Sequence, residues 1–482
     1  MAKKSERKRV FALENDSLAY RREVPRGSIE VDAFGSLRNG ERVTLVGRLM
    51  LSDSTGEISK LGVFSKLDDK EVVSFEVIEG NGSSIPAFLV RTPENIKMVN
   101  SMIHYGDIVM LDGVKIGIAN GDVFLGEKVL LLSKAIGDVY DSNIDFRKRS
   151  NLYAHRHLQM IRDREKILHF RKCSTVFRVI RQFLYGNGYE ELSMTLLQES
   201  FEAGLADPFV THVTEHDKDM YLRLTSELFL RKLMIAGFSK VFEIGKSFRN
   251  QGATADMLPQ FTILELYRAY ATKEEMENLM RDMICEILVQ LYGSTSIPTT
   301  EGSIDCTGEW PSCDFNDELE KCTGLRYDES RPIEELVHLL DKAGIAHPAK
   351  LNKYAVATSL YAHVMSKITG PAFLRNLPAA QSPLFKVNDD GSTVDETLLI
   401  INGMLVADLV NPERDPRIIK RRMEEQLSYR RDDQNGGVNE DIIEAMRFGL
   451  PPCRGIGMGI ERLLMFLLNA EDIRDVELFP VF

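Results

Sequence analysis

The amino-acid sequence predicts an α+β fold in which an N-terminal β-barrel of OB type precedes a larger antiparallel sheet flanked by helices. Three observations predict it. Short β-branched runs crowd residues 43–132, helical spacing takes over near Arg164, and two alternating segments between 240 and 270 flank a loop that begins with an arginine. At 482 residues the chain is too long for one ordinary core, and about two to four domains are expected.

Residues 1–38 are charged and weakly patterned and read as a lead-in. The barrel is expected over 39–140. VTLVGRLM (43–50), VVSFEVIEG (72–80), DIVMLDGVKIG (107–117) and DVFLGEKVLLL (122–132) read as partly alternating strands, and Asn120-Gly121 is a hairpin signal between the last two. Strands so spaced suit a five-stranded OB barrel, and an SH3-like barrel or a strand-rich sandwich would read similarly. Residues 141–163 form a connector, and a second domain is expected over 164–482.

There Ile167, Phe170, Val176, Val179, Ile180, Phe183 and Leu184 recur at helical spacing before the stop Gly186-Asn187-Gly188. YLRLTSELFL, KVFEIGKSF and QFTILELYRAY read as strands of an antiparallel sheet whose side chains face a common cleft. Residues 273–290 and 333–344 read as amphipathic helices. LLIINGMLVADLV reads as a strand, IIKRRMEEQLSYRRDD as a helix, and CRGIGMGIERLLMFLL as a Gly-rich strand or turn running into a helix.

Composition narrows the function. With 44% hydrophobic and 27% charged residues the chain is a globular protein, and its net charge of −12 excludes a uniformly basic nucleic-acid surface, so any RNA site is local. Six dispersed cysteines lack the short paired spacing of a zinc site and read as free thiols. MAKKSERKRVF has no apolar core for a secretory signal, and no apolar run reaches the roughly 18 residues of a membrane span, so a cytoplasmic protein with no membrane partner is expected.

Two segments carry chemistry. VFEIGKSFRNQG (241–252) and LPQFTILELYRAY (258–270) set Arg249 at a strand end, ahead of a strand bearing Phe261, Glu265 and Tyr267. An arginine beside an aromatic ring suits a nucleotide, because its planar fork bonds phosphate through two hydrogen bonds and keeps its charge. Standing alone, the segment reads more readily as a surface arginine over core aromatics. GIGMGIER (455–462) passes from a tight glycine backbone into a helix carrying Arg462 and departs from GxGxxG at Ile460, which disfavours a dinucleotide fold. Close packing of a helix on a sheet would call for the same glycines.

Together, over nearly all of residues 40–482, these segments resemble the lysyl-tRNA synthetase family of class II aminoacyl-tRNA synthetases. FEIGKSFRNQG with PQFTILELYRAY resembles the family's second signature motif, GIGMGIERLLMFLLNAEDIRDVELFP its third, and GNGYEELSMTLLQ its first; DPFVTH, DMYLRLTSELFLRKL and NLYAHRH also have close counterparts. The resemblance implies ATP-dependent activation of lysine or an analogue as an adenylate, transfer to tRNA, and a homodimer. By position, Arg249 would hold the α-phosphate and substrate carboxylate, Arg462 the γ-phosphate, Phe261 and Gln251 the adenine, and Glu227 the α-amino group. Glu265 and Tyr267 would line the side-chain pocket. The barrel would be the anticodon module, with Phe64 and Phe75 as candidates for stacking bases, although barrel-core positions suit both equally.

Departures from the family pattern concentrate in LLIINGMLVADLVNPERDP (398–416). Two glutamates that bind Mg²⁺ in the family fall on Leu398 and Leu405, so no metal ligand is carried over, and the glutamate that pairs with the substrate ammonium falls on Pro412. An Asn and a Phe of the pocket become Asp408 and Val410, an Arg-His pair becomes Asp256-Met257, Asp207 replaces a lid arginine, and Thr195 replaces a proline of the first motif. Asp408 is a candidate for a cationic side chain arriving from another direction, and Asp395 or Glu396 for metal oxygens after a strand shift. Weakened adenylation, a different substrate or acceptor, and a regulatory or RNA-binding paralogue are the alternatives.

Overall fold

Alternating apolar side chains drive strands such as Arg42–Met50, whereas the continuous run 396–401 is buried on both faces. The computed structural model describes residues 24, 28–29, 31–50, 64–67, 70–78, 84–118, 121–140, 143–200, 206–299, 302–348, 351–379, 384–427 and 438–481. The chain divides into two compact units, Met1–Arg171 and Lys172–Phe482.

The first unit holds β1 (Arg42–Met50), β2 (Phe64–Leu67), β3 (Lys70–Ile78), β4 (Ser84–Val90), β5 (Ile108–Ile118) and β6 (Gly121–Ser133), in the sheet order β1-β5-β6-β4-β3-β2. The ladder also turns back on itself, because β3 pairs with β1 through Arg48 opposite Ile78. β4 and β6 run parallel, and the other neighbours are antiparallel. Ile118 stands opposite Gly121 at the expected hairpin, although Asn120 lies outside the described residues. Two strands escaped the sequence reading, β2 and β4, as did the helix Pro93–Ser101, whose N-terminus is capped by Thr92. Part of the charged lead-in is packed: Val31 and Phe34 are buried, the latter edge-on to Phe124. Phe75 is 2% exposed in this core and has no face for a nucleotide base, while the side chain of Phe64 lies outside the described residues.

The second unit adds β7 (Glu190–Glu191), β8 (Leu197–Gln198), β9 (Val210–Val213), β10 (Lys218–Leu222), β11 (Lys240–Phe248), β12 (Gln260–Ala269), β13 (Ser296–Thr299), β14 (Gly302–Asp305), β15 (Ser312–Asp314), β16 (Ala372–Pro378), β17 (Thr393–Ile401), β18 (Met404–Val410) and β19 (Cys453–Gly459). Eight of them form one sheet, β15-β16-β17-β18-β19-β12-β11-β7, antiparallel through its centre and parallel at both edges. β19 comes last in the chain and lies between β18 and β12.

The helix expected from Arg164 to the glycine stop spans Arg164–Gly186, and those expected near 273 and 333 span Lys273–Tyr292 and Ile333–Ala343. Two readings are corrected. YLRLTSELFL is a strand only to Leu222, because a helix starts at Glu227, with Thr225 Oγ1 accepting from the Glu227 N–H at 3.1 Å and Leu228, Leu230 and Met234 buried. LLIINGMLVADLV is two strands, because Asn402 and Gly403 both adopt positive φ (50° and 76°) and close a tight hairpin. Among the elements absent from the sequence reading, the helix Lys353–Met365 matters most for the cleft; its N-cap is Asn352.

Candidate active site

Strand alternation sets Phe261, Ile263, Glu265 and Tyr267 of β12 on one face. Register then builds a row across five strands: Leu398, Asp408, Gly457, Glu265 and Glu243 stand opposite one another in turn. Gly457 leaves the middle of that row without a side chain, and a Cβ there would lie 2.5 Å from Asp408 Oδ1. One row along, a Cβ on Gly455 would lie 2.6 Å from the Tyr267 ring. The glycines of GIGMG thus form a floor over which larger side chains meet.

Above that floor is a cavity of about 470 Å³, lined by Glu227, Arg249, Gln251, Glu265, Tyr267 and Asp408 with Thr225, Tyr354, Phe385 and Val410. Glu265 accepts hydrogen bonds from the hydroxyls of Thr225 and Ser226. Glu227, at the helix start, accepts from the fully buried Arg231 and, at 2.9 Å, from Tyr267 Oη. Arg231 Nε donates to Tyr267 Oη at 3.3 Å, so three side chains close a polar triangle at the pocket wall. Burial would pull the Arg231 guanidinium pKa down, but the Glu227 charge holds it above the ordinary value, and burial raises the Tyr267 phenol well above its own.

Asp408 Oδ1 accepts from the Gly457 N–H at 3.2 Å. Burial first, and the nearby Glu227 charge second, push its carboxyl up to about 6, against the pull of Arg249. The environment favours a cation that would let this carboxylate ionise.

A second cavity of about 160 Å³ shares Arg249, Gln251, Ile263 and Asp408 with the first and adds Phe261, Asp256, Met257, Leu405, Glu461 and Arg462. The Arg249 guanidinium lies 5.1 Å over the Phe261 ring. Arg462 donates from Nε to the Asp256 carbonyl at 3.1 Å, and its Nη2 lies 3.5 Å from Asp256 Oδ2. All eight residues singled out in the sequence therefore border one cleft, with carboxylates toward one end and arginines and an aromatic ring toward the other. Sequence reasoning does not find Tyr354 or Arg231. Tyr354 lies in a helix with little periodic signal, and Arg231 resembles an ordinary helix-surface arginine until its partners are known.

Other candidates are spoken for. Asp395, despite burial, is held well below the ordinary carboxylate range by hydrogen bonds from Arg454, Lys273 and Asn411. Glu396 is 7% exposed and lies within electrostatic reach of Tyr354 and Tyr361. Leu398 is buried opposite Asp408, Leu405 lines the smaller cavity, and Pro412 bridges to Phe385. Among the described residues no group of three or more His, Cys, Asp or Glu side chains is placed to hold a metal ion.

The profile of class II tRNA synthetases (D, K and N) matches residues 148–482, more than half of the chain. The chain belongs to the class II tRNA synthetases. Within them it falls in the lysyl-tRNA synthetase family. It is 33% identical over 457 residues to a lysine-tRNA ligase of Fervidobacterium nodosum, covering 93% of this chain and 86% of that one. With a lysine-tRNA ligase of Enterococcus faecalis the identity is 30% over 483 residues and 97% of each chain, and with one from Thermotoga maritima 30% over 452 residues, 93% and 87%. This synthetase is an enzyme of a family that in general depends on ATP and Mg²⁺. No helix among its described residues is long and apolar enough to cross a membrane.

Proposed function

We propose that this synthetase activates an amino acid with a cationic side chain, lysine or an analogue, as the adenylate and transfers it to tRNA, with an altered side-chain pocket. The carrying observation is the continuous cleft that has Asp408, Glu265 and Glu227 around one cavity and Arg249, Phe261 and Arg462 around the next. Arg249 borders both cavities, where one guanidinium reaches a substrate carboxylate and an α-phosphate at once. The carboxylate attacks the α-phosphorus, pyrophosphate leaves, and Arg249 neutralises charge that builds on the phosphoryl oxygens. Phe261 stacks the adenine, Gln251 offers its amide to the adenine edge, and Arg462 takes the γ-phosphate. Glu227 receives the α-amino group while keeping its bonds to Tyr267 and Arg231, and Asp408 faces the substrate's cationic end.

A dedicated Mg²⁺ cage does not fit these residues. Leu398 and Leu405 offer no oxygen, and Asp395 already serves two cations and an amide. The return of β3 onto β1, together with the parallel β4–β6 pair, supports an OB-type barrel that receives the tRNA anticodon. A homodimer and a cytoplasmic location complete the reading.

A second reading is a catalytically weakened paralogue, favoured by the Arg231–Glu227–Tyr267 triangle, which satisfies internally the groups a substrate would use. Amino-acid-dependent ATP–pyrophosphate exchange, screened over the twenty amino acids and lysine analogues, separates the two. Exchange with lysine or an analogue carries the first. Folded, ATP-binding protein that shows no exchange with any of them sinks it.

A further inference from the structure

The loop 250–259 is built to hold an acid against Arg462. The Thr254 N–H donates to the Met257 carbonyl at 2.9 Å, Thr254 Oγ1 donates to Asp256 Oδ1 at 2.7 Å, and the Ile473 N–H donates to the Ala255 carbonyl at 2.7 Å. These three bonds fix Asp256 at the rim, where its other carboxylate oxygen and its carbonyl both face the Arg462 guanidinium. Arg462 also approaches the Leu405 carbonyl at 3.5 Å. Its positive charge is thus met by Asp256 before any ligand enters.

Charge counting gives the consequence. The smaller cavity is lined by two arginines, Arg249 and Arg462, against Asp256, Asp408 and Glu461, the last of which burial pushes toward its neutral form. A monophosphate at Arg249 adds one or two negative charges and leaves Asp256 in place. A triphosphate carries further charge past Arg249 and meets the Asp256 carboxylate, with the leucine at 405 alongside.

We propose that Asp256 sets the phosphate preference of this cleft, favouring a nucleoside monophosphate group, including an acyl adenylate, over a nucleoside triphosphate. The inference rests on the nucleotide reading of the Phe261–Arg249 cavity given above. A triphosphate binds only by opening the Asp256–Arg462 pair, whereas a monophosphate binds beneath it. Because Asp256 is half exposed, the opposition is modest, on the scale of a surface ion pair.

Calorimetric titration of the full chain with AMP and with ATP, each with Mg²⁺, tests this without requiring turnover. The wild type should bind AMP at least as tightly as ATP. Asp256→Asn should tighten ATP about three- to fivefold and change AMP by less than about twofold, the size expected for loss of one exposed charge. Tighter binding of ATP than AMP by the wild type, or an ATP affinity unmoved in Asp256→Asn, overturns the proposal. Phe261→Ala separates the two levels of inference. If it weakens both nucleotides while Asp256→Asn moves neither, the phosphate preference alone falls. If Phe261→Ala weakens neither, the nucleotide reading falls with it.

Discussion

Among the described residues Arg249 has no substitute in the cleft, since Arg231 is committed to Glu227 and Tyr267 and Arg462 to Asp256. Arg249→Ala is therefore expected to lower pyrophosphate exchange by about 10²- to 10³-fold, as for other groups that meet charge developing in a transition state. Unchanged exchange would remove Arg249 from the chemistry. Asp408 gives a pH signature. Its carboxyl titrates near 6 in the folded chain against an ordinary 3.8, so the folded state holds the extra proton between those values. Stability from this group falls as pH rises through that window and is level above it. Asp408→Asn should remove that component from the difference in melting temperature between pH 4 and pH 6.5. Binding of a cationic amino acid runs the other way, strengthening as pH rises through about 6, and calorimetry across pH 5 to 7.5 reads it; a flat dissociation constant would detach Asp408 from the substrate.

At the scale of elements, β19 is shaped by what lies against it. Gly455→Ala would drive a methyl into the Tyr267 ring, which is 2% exposed and pinned by Arg231 and Glu227. A loss of about 1–3 kcal/mol follows from such overpacking, read as a lowered denaturation midpoint in urea. Strands β17 and β18 offer a complementary test. Glutamates placed together at Leu398 and Leu405 should make exchange more strongly Mg²⁺-dependent if the missing oxygens limit it, and a magnesium titration unaltered by the pair would rule that out.

These elements also show what a sequence can disclose. The alternation of Phe261, Ile263, Glu265 and Tyr267 makes β12 legible, because period two survives in a half-buried strand. YLRLTSELFL misleads because its first residues alternate, while the helix that follows is settled by the Thr225 bond to the Glu227 N–H and by burial of Leu228 and Met234. The helix Lys353–Met365 is apolar on several sides and so gives little periodic signal. The pairing of Asp256 with Arg462 spans 206 positions and belongs to tertiary contact alone.

For the whole molecule, a net charge of −12 confines RNA contact to local basic ground. Affinity for tRNA should fall log-linearly with salt, and a filter-binding series from about 50 to 200 mM reads the number of phosphates engaged from the slope. A slope near zero would argue against a phosphate-tracking tRNA complex.

The place of β19 has a consequence for how the protein is made. Its residues leave the ribosome after those of both its neighbours, yet they fill the gap between β12 and β18 in the middle of the large sheet. Until about residue 459 has emerged, β12 and β18 each present an unpaired edge, and Asp408 and Glu265 have no common floor. A nascent or truncated chain that stops before Cys453 is therefore expected to lack the floor of the cleft and to expose two strand edges open to wrong pairing.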